Sequence, residues 1–157
     1  MKDDRWKEIP ELIVIEDMKT EDIEEVAQLE KEIFSIPWSS QGFLSSLRQP
    51  DTLYLTVRAG GRLVGYCGLL QSFDEADITN VAVCSDFRAR GIGRRMLEAL
   101  MERGRERGIE RYTLEVRVSN EPAIRLYHRL GFEDAGIRKN FYEKPSEDAL
   151  IMWTRPV

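Results

Sequence analysis

The most constraining feature of this chain is a change of hydrophobic period within residues 80–100. Residues 78–83 are apolar and β-branched, as a buried strand requires. Beyond Gly93 the apolar positions Met96, Leu97, Leu100 and Met101 recur at helical spacing. Between them lies Arg88-Ala89-Arg90-Gly91-Ile92-Gly93-Arg94. Glycines in such a turn let the backbone approach a ligand, and a helix start presents N–H groups that have no intrahelical acceptor. That arrangement attracts anions, and the arginines add charge. The turn therefore predicts a phosphate-bearing ligand, with a solvated basic helix face as the alternative.

The flanking chain predicts one domain over residues 11–157 after a flexible lead-in over 1–10. A first strand is expected over 12–18, then a helix to about Phe34 in which Ile23, Val26, Ala27, Glu30 and Ile33 share a face. Thr20 is the expected cap of that helix, and Ser39 caps a short helix reaching Leu47. Residues 51–58 and 62–70 read as a hairpin around Ala59-Gly60-Gly61. Gly65 and Gly68 inside its second strand imply a close neighbour or bend. Strands follow over 76–83 and 111–118, the second carrying Glu115 among apolar residues. Ser119 or Asn120 starts a helix with Ala123, Ile124, Tyr127 and Leu130 on one face, and Gly131 ends it. Two last strands, 132–139 and 149–154, are joined by a loop over 140–148. Hairpins mixed with helical crossovers give an α/β (α+β) class: one mixed, mostly antiparallel sheet of about seven strands with helices on both faces.

At 157 residues, 42% hydrophobic and 32% charged, the chain suits a soluble domain with a sizeable core. A net charge of −5 argues against a general polyanion-binding surface, so no direct nucleic-acid partner is expected. No apolar run approaches the roughly 20 residues of a membrane span, and residues 1–6 lack a secretory signal's apolar segment. A cytoplasmic protein, away from membranes, with reduced Cys67 and Cys84 is the expectation. Two cysteines and one histidine offer no metal-ligand spacing, so no metal is expected.

Which phosphate ligand the turn takes is narrowed by its neighbours. A P-loop needs Gly-Lys followed by Ser or Thr, whereas Arg94 and Arg95 follow Gly93. A dinucleotide fingerprint needs a third glycine, and that place holds Met96. Arg88, two residues, Gly91, one residue, Gly93 resembles the acetyl-CoA motif of the GNAT superfamily of N-acetyltransferases. Asn120, Ala123, Leu126-Tyr127 and Leu130-Gly131-Phe132 resemble that superfamily's second signature. Leu114-Glu115-Val116-Arg117, Ser119-Asn120, Arg138-Lys139-Asn140-Phe141-Tyr142, the run 147–152 and Pro37-Trp38-Ser39 narrow the resemblance to the bacterial ribosomal-protein-alanine N-acetyltransferases. Two departures are visible: Cys84-Ser85 where the family has an acidic residue and Pro, and Phe141 where it has Tyr.

The resemblance implies acetyl transfer from acetyl-CoA to the N-terminal α-amine of a protein, with alanine of a small-subunit ribosomal protein as the acceptor. It implies that Val81, Ala82 and Val83 line the pantetheine and acetyl group. Ala89, Arg90, Gly91, Ile92, Gly93 and Arg94 would take the pyrophosphate, and Asn120 would contact CoA. Glu115 matches the family's base and Tyr127 its acid; read without the family, Glu115 could equally be paired with Arg117 or Arg111, and Tyr127 could be core. An α-amine of pKa about 7.7 to 8.0 is already partly neutral at pH 7, so a modest base suffices. His128, next to Tyr127, is expected to be an exposed bystander. Trp38, Asn140, Phe141 and Tyr142 are the candidates for contacting the acceptor. A monomer or weak dimer is expected. The alternatives are a broader N-terminal or small-amine acetyltransferase and a non-catalytic CoA-binding sensor.

Overall fold

In the computed structural model, residues 12–155 are described, so the expected lead-in over 1–10 lies outside the described residues. Strand β1 (Ile13–Asp17) leads through a single 3-10 turn into helix α1 (Ile23–Ile33), and α2 (Ser40–Leu47) follows. Strands β2 (Thr52–Ala59), β3 (Arg62–Ser72) and β4 (Glu75–Val83) form a meander that ends at α3 (Ile92–Glu106). Then come β5 (Arg111–Arg117), α4 (Glu121–Arg129), β6 (Phe132–Tyr142) and β7 (Glu147–Thr154). All seven strands join one sheet in the order β1-β2-β3-β4-β5-β7-β6, antiparallel except at β4–β5. Among the described residues no helix is long and apolar enough to cross a membrane.

Local chemistry explains most boundaries. Ser39 accepts from the Gly42 amide at 3.1 Å and Asn120 from the Ala123 amide at 3.3 Å, so both cap their helices. Thr20 does not cap α1: it lies inside the 3-10 turn, and Asp22 reaches back to accept from the Lys19 amide at 2.8 Å. Gly131, at φ 95°, stops α4 as a left-handed residue. The β6–β7 connection is shorter than the sequence suggests, because β6 runs to Tyr142 through a bulge. Arg138 pairs with Ala149 but Tyr142 with Glu147, which pushes out the residues between and blurs the two-residue alternation.

The sheet has two covered faces. Phe43 of α2 meets Tyr66 of β3 edge-on at 5.7 Å, which fixes the α1/α2 face. On the other face Tyr112 of β5 donates to the Met101 carbonyl of α3 at 2.9 Å. Met96, Leu97 and Leu100 are fully enclosed there, each burial stabilising by about 1.5 to 3 kcal/mol.

Candidate active site

The site begins as an interrupted strand pair. β4 and β5 pair in parallel only from Glu75 opposite Arg111 to Asp77 opposite Thr113. Gly68 pairs with Asn80 but Leu69 with Ile78, so Thr79 is an extra residue, a β-bulge. The bulge bends β4 away from β5. It also reverses the alternation, so Asn80, three residues from Asp77, shares its face. Gly68 permits the bend's close contact, because a Cβ there would lie 2.1 Å from the Tyr54 ring.

The gap opens into a cavity of about 660 Å³ lined by Ile78 to Val81 of β4 and Leu114 to Arg117 of β5. Tyr127 lines it from α4 and Asn120 from that helix's cap, Trp38 from the α1–α2 loop, and Phe141 and Tyr142 from the end of β6. Leu114 and Val116 share the parity of Tyr112 and face α3, so Glu115 points to the α1/α2 face. Tyr127 comes from the α3/α4 side, where it lies against Phe132 at 5.8 Å. The two candidate catalytic groups therefore approach one cavity from opposite faces of the sheet, through the splay.

Their environments differ. The Glu115 side chain is 18% exposed and pairs with Arg138 at 3.7 Å. Neither arginine offered by the sequence takes it: Arg117 pairs with Glu147 at 3.1 Å and Arg111 with Glu75 at 3.4 Å. Tyr127 is 6% exposed, and burial pushes its phenol above the ordinary 10, helped by Tyr142 and Cys67. It is thus a protonated donor at neutral pH. Tyr142 is pushed up to about 12 by burial and by Glu115, against the lowering effect of Arg117. Below the cavity, burial and then Glu115 raise Asp77 to about 6, with Arg138 opposing. His128 sits apart from the cavity lining, 2.7 Å from Asp134.

The residues expected to hold a cofactor form a continuous path. Val81 lies in the cavity, Ala82 is buried beneath β4 opposite Tyr66, and Val83 ends the strand. The chain then turns through Ala89 at φ 61° and Gly91 at φ 79°, the residue before α3. Arg95 N–H to the Gly91 carbonyl, at 3.1 Å, begins the helical bonding, so the amides of Ile92, Gly93 and Arg94 precede it. A Cβ on Gly93 would lie 3.2 Å from Leu126 of α4, so this glycine seats α3 against α4. Arg88 Nε donates to the Val83 carbonyl at 3.0 Å and Arg94 Nε to Glu98 at 2.9 Å, so both side chains have structural partners.

Asn140 does not line the cavity. At φ 53° it supports the bulge, its amide donating to Asp148 at 2.9 Å. Asn80 and Glu30 are among the cavity residues that the sequence does not point to as site residues. Asn80 is signalled only by the bulge. Glu30 stood on the apolar stripe of α1, where a carboxylate is out of place, and that was its available signal. Among the described residues no group of three or more His, Cys, Asp or Glu could hold a metal.

Comparison with known proteins agrees with this architecture. The acetyltransferase (GNAT) family profile matches residues 23–132. A Bacillus subtilis protein, named provisionally as a ribosomal protein bS18-alanine N-acetyltransferase, is 40% identical over 140 residues, 88% of this chain and 93% of that one. The ribosomal protein bS18-alanine N-acetyltransferase of Salmonella typhimurium is 38% identical over 137 residues, 86% of this chain and 92% of that one. The crystal structure of the ribosomal-protein-S18-alanine N-acetyltransferase from Escherichia coli superposes with a TM-score of 0.83 at 34% identity, covering 90% of this chain and 92% of that one. The chain belongs to the GNAT acetyltransferase family and is an N-acetyltransferase.

Proposed function

We propose that this enzyme transfers the acetyl group of acetyl-CoA to the N-terminal α-amine of a protein in the cytoplasm, and that its acceptor is the N-terminal alanine of a small-subunit ribosomal protein. The observation that carries the reading is the convergence of Glu115 and Tyr127, from opposite faces, on the cavity where β4 leaves β5. The names of the Salmonella typhimurium and Escherichia coli relatives support the ribosomal acceptor.

The residues present fit acetyl-CoA. The edge of β4 beyond Asp77 is released from β5, so main-chain groups around Val81, Ala82 and Val83 can bond the amides of a pantetheine arm. The turn from Ala89 to Arg94 suits the pyrophosphate, because it ends at the N-terminus of a helix of fifteen residues. Asn120, already the cap of α4, also lines the cavity, which supports a contact with the arm. Bound there, acetyl-CoA supplies the thioester that the amine attacks.

The protein's own groups handle the protons. Glu115 Oε accepts a proton from the incoming amine, directly or through a water. Tyr127 Oη, protonated at neutral pH, hydrogen-bonds the thioester sulfur and gives it a proton as the C–S bond breaks, and solvent then reprotonates the phenolate, whose raised pKa favours its return to the neutral form. Trp38, Phe141 and Tyr142 form the acceptor side of the cavity. Glu115 and Tyr127 both entering it speaks for a catalyst rather than a CoA sensor.

CoA release from acetyl-CoA with peptides beginning Ala, Ser, Met or acetyl-blocked Ala tests the proposal. Turnover is expected on the Ala peptide and none on the blocked one. CoA binding without turnover on any amine would reverse the conclusion in favour of a sensor.

A further inference from the structure

The acceptor side of the cavity is walled by residues 33–38, a connection with no regular structure for most of its length. It nevertheless holds Phe34, Ile36 and Trp38 at 39%, 52% and 38% exposure. Contacts to the core hold this loop in place against the cavity. Trp38 is held twice. Its ring packs at a tilt of 49° against Phe43, centroids 5.3 Å apart, and Phe43 meets Tyr66 edge-on at 5.7 Å. Its amide donates to Glu30 Oε2 at 2.9 Å, while the Tyr66 hydroxyl donates to Glu30 Oε1.

Three rings and one carboxylate thus close a circuit that begins and ends at Trp38. Glu30 is 4% exposed, on the buried face of α1 with Ile23, Val26 and Ala27. A carboxylate in such a place is costly unless its oxygens are bonded, and each oxygen here meets a donor. The bond to Trp38 spans eight residues and ties the end of α1 to the residue just before the Ser39 cap. The length of the glutamate side chain sets the position of that wall.

We infer that Glu30 is a positioning residue for acceptor selection, fixing through the Trp38 amide the loop against which the N-terminal peptide docks. The inference rests on the cavity being the acceptor site. It assigns Glu30 no proton transfer and no contact with CoA. Loss of the bond should therefore raise KM for the peptide and leave KM for acetyl-CoA alone.

Two conservative variants separate reach from charge. Glu30→Asp keeps the charge but withdraws the carboxylate by one methylene. Glu30→Gln keeps the length, its carbonyl accepting from Trp38 and its amide donating to the Tyr66 oxygen. With acetyl-CoA and an Ala-starting peptide, Glu30→Asp is expected to raise peptide KM about tenfold, the size of one lost buried hydrogen bond. KM for acetyl-CoA and kcat should stay within about twofold, and Glu30→Gln should behave like the parent enzyme. A benign Glu30→Asp, an impaired Glu30→Gln, or equal changes in both KM values would each overturn the inference. Absence of turnover by the unaltered enzyme on any free N-terminus would instead fault the acceptor reading itself.

Discussion

The two sides of the cavity are built by different means. Toward α3 the shape comes from the main chain: a bulge at Thr79, left-handed residues at Ala89 and Gly91, and a glycine at 93 that seats one helix on another. Toward α1 and the β6–β7 turn it comes from side chains. Glu30 ties down Trp38, and Arg117 donates to the carbonyls of Pro145 and Glu143 at 3.0 and 3.1 Å while lying 4.5 Å over the Tyr142 ring. A surface made of peptide groups suits a partner that never varies, such as a shared acetyl donor. A surface clamped by side chains can be reset by single substitutions, which suits the partner that must be chosen.

The largest expected effect falls on the chemistry between those sides. Tyr127→Phe should lower kcat by about 10²- to 10⁴-fold in a CoA-release assay, with both KM values little changed. Glu115→Gln should be milder, about 10- to 100-fold at pH 7, and its deficit should shrink above pH 8 as the amine loses its proton unaided. An unshrinking deficit would remove Glu115 from the base role.

Next comes the main-chain side. Gly91→Val forces a branched residue to φ 79°, a strain of about 1 to 2 kcal/mol, and should raise KM for acetyl-CoA about tenfold without moving peptide KM. Arg88→Ala and Arg90→Ala should move it less. Equal small effects at all three positions would break the contrast between the two surfaces.

A smaller effect concerns Asp77. Its folded value of about 6 lies above the ordinary 3.8, so the folded state holds the proton more tightly. Stability is therefore lost as pH rises from about 4 to 6, and the penalty is complete above that window. Asp77→Asn should raise Tm at pH 8 and leave it unchanged at pH 3.5, as thermal melts at the two pH values would show. The facing charges are Glu115 on β5 and Arg138 on β6, and both are kept in that variant. The smallest effect is expected from Phe141→Tyr: the ring is 41% exposed at the rim, so an added hydroxyl reaches solvent and peptide KM should move less than threefold.

These contrasts also mark what was legible in the sequence. Element order and the basic turn were, because period changes and glycines are local signals, and Ser39, Asn120 and Gly131 cap or stop their helices through neighbours within three residues. The splay was not. A bulge at Thr79 leaves no mark in a β-branched run, since its cause is the pairing with Gly68 and Leu69 across the sheet. Glu115 was visible but its partner was not, because Arg138 arrives from β6, two strands away. Asn140 shows the converse: its neighbours line the cavity, while its own left-handed backbone turns it to the support of the bulge.

The displaced extra residue at Thr79 bears on the order in which reactants can arrive. The cavity is lined from both faces of the sheet, with Trp38 on the α1/α2 side and Tyr127 on the α3/α4 side, so the two reactants can approach it from different directions. Donor and acceptor can occupy it together, and no acyl group has to be parked on the protein between visits. Initial velocities measured at several fixed peptide concentrations should then give intersecting reciprocal plots, and parallel lines would mean that the cavity admits one reactant at a time.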